Sequence, residues 1–314
     1  MTNCCPKPIP IILDTDIGND IDDTWALALI MRSPELELKA ATLVSYDTAF
    51  RARLTAKLLR TEGHPDIPLG LGPTTSTDTK YNCQQEWLGD FSLNDWKAPV
   101  SRDAAELIIE LVRNSPEPVT LFGIGPFSNI AEVVRRAPDV VKKIDFIGLG
   151  GSVHWKYFGK PGHCSEYNIV KDVEAARSVL SAKWHSILLS PLDTCGNIII
   201  RGERYQRLKR SSDPLAKAVI DNYILWRKFR LSLFPGDPPY TPETASSLIA
   251  DAAAVALCVN PGLAEIKPVP LSVSDLGETL VDEVHGFPVP CALQWHDVEK
   301  FYDFVEHRLT GRAE

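Results

Sequence analysis

Five carboxylates fall within ten residues near the start of this chain, in the run Asp14-Thr15-Asp16-Ile17-Gly18-Asn19-Asp20-Ile21-Asp22-Asp23. Like charges at hydrogen-bond range raise one another's pKa unless something positive sits among them, and a divalent cation is the simplest such partner. The donors are hard oxygens with no His or Cys nearby, which favours Ca2+ or Mg2+ over zinc. Helix capping explains part of the run, because Asp20, Asp22 and Asp23 fall where a helix would begin and meet its dipole. It does not explain Asp14 and Asp16, which sit at the end of the preceding strand.

The elements that must position this cluster follow a βα beat, with short apolar runs bounded by turn residues alternating with helical patterns. The pattern predicts strands at 10–13, 38–44, 67–71, 119–122, 144–149 and 186–189. It predicts helices at about 22–31, 48–62 (closed by Gly63), 103–113, 129–136 and 173–180, then a helix-rich stretch at 203–233. Parallel neighbours need crossover connections, so the fold expected is α/β: an open, mostly parallel twisted sheet with helices on both faces. Ligands of such sheets sit beyond the carboxyl ends of the strands, which points to the loops after Leu13, Val44, Phe122 and Leu149. Three long stretches, 72–98, 150–168 and 234–244, break the beat, and loops of that length commonly carry function. With no linker-like shift in composition and no internal repeat, residues 1–314 read as a single domain.

Composition narrows the partners. The chain is 44% hydrophobic and 24% charged, enough to bury a sizeable core. Its 41 acidic residues outnumber 33 basic ones, and no Lys/Arg block appears, so a nucleic-acid surface is not expected. No apolar run approaches the roughly 20 residues that span a bilayer, and residues 1–10 lack the apolar stretch of a secretory signal. The expected location is cytoplasmic. Cys4, Cys5, Cys83, Cys164, Cys195, Cys258 and Cys291 are odd in number and form no CxxC pair, which argues for reduced thiols and against a zinc site. Gly123-x-Gly125 and Gly148-x-Gly150-Gly151 lack the third glycine of a dinucleotide fingerprint and read as turns leaving strands.

An EF-hand does not fit the acidic run, because its glycine position holds Asn19 and its twelfth position holds Trp25. A phosphoaspartyl-type phosphatase would also open with Asp-x-Asp after a first strand and stays a competitor. The run resembles more closely the signature of the inosine-uridine-preferring nucleoside hydrolase family, in the variant D-T-D-I-G-x-D-x-D-D. Further blocks carry the resemblance along nearly the whole chain: Thr42 to Asp47, Ile67-Pro68-Leu69-Gly70, Gly123-Ile124-Gly125-Pro126-Phe127-Ser128-Asn129, Glu166-Tyr167-Asn168 with Asp172 and Ala175-Ala176, Pro191-Leu192-Asp193, and Ala250-Asp251-Ala252.

That resemblance implies a Ca2+ ion, with Mg2+ ranked below it, held by carboxylates of Asp16, Asp23 and Asp251 and by the backbone carbonyl of Ile124. It implies Asp22 and Asp251 accepting hydrogen bonds from the sugar, with Glu166 and Asn168 at its other hydroxyls and with Asp47 and Asp14 as supports. The implied reaction is hydrolysis of the N-glycosidic bond of a ribonucleoside to free base and ribose, in a homodimer or homotetramer. The chemistry suits the residues. A ribosyl centre with oxocarbenium character is stabilised by nearby carboxylates, and Asp16 can take the proton of the attacking water.

One position departs from the family. The His that often precedes the last metal-binding Asp, and protonates the leaving base, is here Ala250. Substitute donors are His163, Tyr223 and Trp226, although a loop histidine is commonly solvated and aromatics at helical spacing commonly form core. A nucleoside- or ribose-binding relative without turnover is therefore a second reading. A Mg2+-dependent phosphatase is a third, weakened because Lys142-Lys143 precedes a strand and no acidic pair follows. Cys164 beside His163 is a poor catalytic thiolate. Trp87, Phe91 and Trp96 form either a lid or a subunit contact, between which the sequence does not choose.

Overall fold

The computed structural model describes residues 7–233, 236 and 240–311. Cys4, Cys5 and most of the apolar segment of the 234–244 loop lie outside the described residues. The strands are β1 (Ile9–Thr15), β2 (Leu36–Leu43), β3 (Leu69–Leu71), β4 (Val100–Ser101), β5 (Val119–Gly123), β6 (Ile144–Leu149), β7 (Trp155–Lys156), β8 (Lys160–Pro161), β9 (Ser186–Ser190), β10 (Ala264–Val273), β11 (Thr279–Val281) and β12 (Phe287–Trp295). Ten of them form one sheet in the order β11-β10-β12-β9-β6-β5-β1-β2-β3-β4, while β7 and β8 pair separately as a small hairpin. From β4 across to β12 every pairing is parallel; only β10 and β11 run antiparallel to their neighbours.

The helices are α1 (Asp22–Met31), α2 (Thr48–Thr61), α3 (Gln85–Leu88), α4 (Ala104–Asn114), α5 (Ser128–Arg136), α6 (Pro138–Val141), α7 (Tyr167–Lys171), α8 (Val173–Ser181), α9 (Leu192–Cys195), α10 (Gly202–Lys209), α11 (Pro214–Leu233), α12 (Ala252–Val259) and α13 (Val298–Thr310). They cover both faces of the sheet. One buried cluster joins α1, α2 and α10 to α13 to one face, and another joins α4, α5, α6 and α8 to the other. No helix among the described residues is long and apolar enough to cross a membrane.

Helix α1 shows how the sequence dictates this arrangement. Its run Trp25-Ala26-Leu27-Ala28-Leu29-Ile30 is apolar on every side, so no face of it can meet water. The structure buries all six between the sheet and helices α11, α12 and α13. Asp22 and Asp23 therefore open the most enclosed helix of the fold.

The βα beat predicted from sequence is present with boundaries shifted by a residue or two. The C-terminal strands and helices α12 and α13 were not anticipated, and prolines account for part of that. Pro268 and Pro270 of β10 face Pro290 and Pro288 of β12 across the antiparallel ladder. Proline within a run normally argues against a strand. Here the paired prolines occupy positions whose backbone groups point away from the partner, and Pro270 O accepts instead from Asp282 N beside β11, at 2.8 Å.

Gly125, in the turn after β5, lets that turn lie directly on the end of β1. A Cβ there would stand 2.8 Å from Val44 Cγ1 and 2.9 Å from the backbone nitrogen of Asp16. Gly125→Ala is expected to destabilise the fold by about 1–3 kcal/mol, seen as a lower midpoint in thermal unfolding and accompanied by a loss of activity through displacement of Asp16. An unchanged midpoint would show that the β1 turn gives way freely.

Candidate active site

Strand β1 ends at a corner gripped from both sides. Its Asp14 carbonyl accepts from Ile124 N at 3.0 Å, and its Thr15 carbonyl accepts from Val44 N at 3.1 Å. Beyond it the chain enters a cavity of about 190 Å³ at the carboxyl ends of β1, β5 and β6. The lining includes Asp16, Asp20, Asp22, Asp23, Ile124, Glu166, Asn168 and Asp251, brought together from four separate stretches of the chain. The crossover rule for parallel sheets thus locates the site where the sequence places it.

Carboxylate oxygens of Asp22, Asp23 and Asp251 lie within 4.8 Å of one another. Asp23 and Asp251 are almost fully buried, and Thr15 Oγ1 donates to Asp23. Burial, then the neighbouring acids, holds all three carboxyls well above the ordinary range. Two buried acids and one half-buried acid so close to one another repel as anions unless a cation or a shared proton sits among them, and the all-oxygen donor set fits a hard divalent ion. Ile124 also lines the cavity, and its carbonyl oxygen accepts from Asn168 Nδ2 at 2.9 Å, leaving one lone pair. Asp16 stands beside this triad, and its Oδ2 is 3.6 Å from Arg51 Nη2.

Asp14 lies beneath the cavity. Its Oδ1 accepts from Thr42 Oγ1 at 2.6 Å and Asn129 Nδ2 at 2.8 Å, and burial pushes its carboxyl up to about 7. It is completely covered, which closes it to a phosphoryl donor. Lys142 and Lys143 precede β6 and so lie at the opposite end of the sheet from the cavity. Of the residues the phosphatase reading needs, Asp14 and the Lys142-Lys143 pair are thus away from the cavity, and only Asp16 reaches it.

Glu166 accepts from the backbone nitrogens of Gly151, Asn168 and Ile169 at 3.0–3.2 Å and caps α7, while burial raises its carboxyl to about 7. Asn168 donates through Nδ2 to Ile124 O and Leu149 O, so its amide nitrogen is committed and its oxygen remains for a ligand. Asp47 accepts from Phe50 N, capping α2, and does not reach the cavity lining.

The three substitute donors are not gathered into the cavity wall. His163 is half exposed, 3.9 Å from Glu278. Tyr223 is buried in the core with its hydroxyl unpartnered. Trp226 backs the wall from behind, donating through Nε1 to Asn19 O at 3.0 Å. Ala250 does line the cavity, next to Asp251. Around it the wall carries Asn19, Tyr157, Tyr167 and Arg230, none of which sequence reasoning singled out. Asn19 Nδ2 donates to Tyr167 Oη at 3.2 Å, and that hydroxyl donates to Tyr46 at 3.3 Å. Arg51 was missed as well; its signal was an arginine on the buried stripe of α2 shared with Thr48, Thr55 and Leu58.

Whether Trp87, Phe91 and Trp96 serve as a lid or a subunit contact is not decided by their packing. They pack half-buried on the core, with Lys57 Nζ 4.3 Å from the Trp87 ring centroid, Arg60 4.4 Å from that of Phe91, and Trp96 Nε1 donating to Ile67 O. The same loop is tied to the acidic turn, since Cys83 N donates to Gly18 O and Gln84 Nε2 to Asp20 O.

The fold is shared with solved nucleoside hydrolases. A plant nucleoside hydrolase structure superposes with a TM-score of 0.80 over 97% of this chain and 99% of its own, at 22% identity. In sequence, residues 11–303 match the inosine-uridine preferring nucleoside hydrolase family, and the chain belongs to that family. The inosine-uridine preferring nucleoside hydrolase of Crithidia fasciculata is 27% identical over 95% of this chain and 96% of its own length. The pyrimidine-specific ribonucleoside hydrolase RihA of Salmonella enteritidis is 28% identical over 77% of this chain and 79% of its own. The chain is accordingly an enzyme that hydrolyses the N-glycosidic bond of ribonucleosides.

Two side chains then have a defined expectation. His163→Ala leaves kcat/KM of nucleoside hydrolysis unchanged, because the imidazole is outside the cavity. Tyr223→Phe leaves turnover unchanged and raises stability by up to about 1 kcal/mol, by removing an unpartnered buried hydroxyl. A tenfold loss of turnover in either variant would return that residue to the leaving-group role.

Proposed function

We propose that the cavity binds one Ca2+ ion and one ribonucleoside, and that Asp16 takes the proton from the water that attacks the anomeric carbon. The observation that carries this reading is the buried convergence of Asp22, Asp23 and Asp251 beside Asp16. The residues that would hold the ion are Asp16, Asp23 and Asp251 with the Ile124 carbonyl; the close packing of Asp22 with Asp23 and Asp251 adds it to the candidates. An ion held by these residues would supply Lewis acidity, making water beside it easier to deprotonate and favouring the ribose hydroxyls.

The protein's own groups supply the rest. Asp22 and Asp251 accept hydrogen bonds from the sugar hydroxyls. Glu166 has three of its roughly four acceptor sites filled by backbone N–H groups, so it can take one further hydroxyl without moving. Such pre-set contacts hold the anomeric carbon in line with the water, and the surrounding carboxylates stabilise positive charge as the bond to the base breaks. At Ala250 no proton can be given to the departing base, so its release depends on other wall groups.

The test is a reducing-sugar assay over purine, pyrimidine and modified ribonucleosides, on wild type and Asp16→Ala, with and without chelator. Sugar release is expected from wild type with calcium, falling at least about a hundredfold in the variant and on chelation. No free ribose from any nucleoside, with substrate recovered intact, would favour a binding protein instead. Calcium at a hundred times its Kd is expected to stabilise the fold by about 2.7 kcal/mol, an effect lost in Asp251→Asn; a thermal midpoint indifferent to calcium would remove the ion from the reading.

A further inference from the structure

Arg51 has no part in the mechanism so far, yet its side chain is only 1% exposed and lies against the acidic turn. Two of its donors are committed: Nε to Ser45 O at 2.8 Å and Nη1 to Ile17 O at 2.7 Å. One acceptor belongs to the turn after β2, the other to the turn that joins Asp16 to Asp22. Nη2 has no hydrogen-bond partner and points at Asp16 Oδ2, 3.6 Å away. The guanidinium also sits 5.5 Å from the centroid of the Tyr46 ring.

The turn that Arg51 grips is strained. Ser45 and Tyr46 have φ of 68° and 50°, a left-handed backbone that side chains other than glycine seldom adopt. Strain of this kind survives only where the surroundings over-determine it. Here Arg51 holds Ser45 O, while Thr75 bonds both backbone groups of Tyr46. A guanidinium fixed by two carbonyls and a ring cannot follow a moving carboxylate, so the carboxylate must settle against it.

We infer that Arg51 is a positioning residue, a fixed internal cation that turns one oxygen of Asp16, Oδ2, away from the Asp22–Asp23–Asp251 triad and keeps that oxygen for proton transfer while the other stays available to the ion. The inference rests on the reading of Asp16 as the proton acceptor. At 3.6 Å the contact is an ion pair and not a hydrogen bond, and burial leaves it little screened. The same positive charge opposes a cation held by the triad. Arg51 thus weakens metal binding while placing the base.

That opposition gives the test two readouts of opposite sign. In Arg51→Met, calcium binding measured by calorimetry is expected to tighten by about fivefold, because a nearby unit charge is gone. In the same variant kcat on the best nucleoside falls by about a hundredfold. An arginine that only braced the turn would, when lost, weaken calcium binding and turnover together, and that result overturns the inference. Arg51→Lys, which keeps the charge, is expected to recover at least about tenfold of the lost kcat; a lysine variant as slow as the methionine one also overturns it. Finally, in an Asp16→Asn background Arg51→Met should cost no further residual turnover, whereas an equal loss in both backgrounds would deny action through Asp16. Full turnover in Asp16→Asn alone would defeat the reading of Asp16 itself, a result separate from any on Arg51.

Discussion

Mutual repulsion among buried acids is the constraint around which this molecule is arranged. Asp16, Asp23 and Asp251 are each at most 6% exposed, and Asp22 adjoins them. Water cannot screen charges so enclosed, and nothing but fixed positive charge and directed N–H or O–H groups can keep them ionised. The neighbourhood is built accordingly. Thr15 serves Asp23, Thr42 and Asn129 serve Asp14, three backbone amides serve Glu166, and Arg51 faces Asp16. A cation held by the triad would complete a pattern that these groups begin.

The apolar framework makes that crowding sustainable. Helix α1 is enclosed on all sides and β1 is gripped by both neighbouring strands, so the acids at their junction have little freedom to swing apart. Gly18 and Gly125 extend the same logic to the backbone. The first has φ of 113° and sits against Phe50 of α2, and the second lets the β5 turn touch Asp16. Polar strain at the site is thus borne by close packing next to it.

The parts of this arrangement legible in sequence were those with a local signature. The apolar runs of β1, β5 and β6, the all-apolar α1, and the acidic run at their junction each carry a period or a composition that reads directly. What escaped was non-local. Asp16 and Arg51 are 35 positions apart in sequence, and nothing in the helical pattern of α2 says that its buried arginine meets a carboxylate. Tyr157, Asn19 and Arg230 join the wall through loops and a helix end whose orientation no periodicity encodes. The antiparallel edge was hidden by prolines, because the rule that demotes them holds for isolated strands and not for strands whose prolines face each other. His163, Tyr223 and Trp226 were candidates by residue type, and the geometry gives the first to solvent and the other two to the core or the back of the wall.

The position of Asp251 bears on how the protein forms. The triad joins two residues at the start of the second element to one that precedes α12, with most of the sheet assembled in between. Contacts of such long range are completed late, after the loop-closure entropy of the intervening chain has been overcome. During synthesis the N-terminal acids therefore emerge with no triad to join, and a nascent chain short of α12 lacks its third carboxylate. The triad can come together only once the first and last thirds of the chain have met.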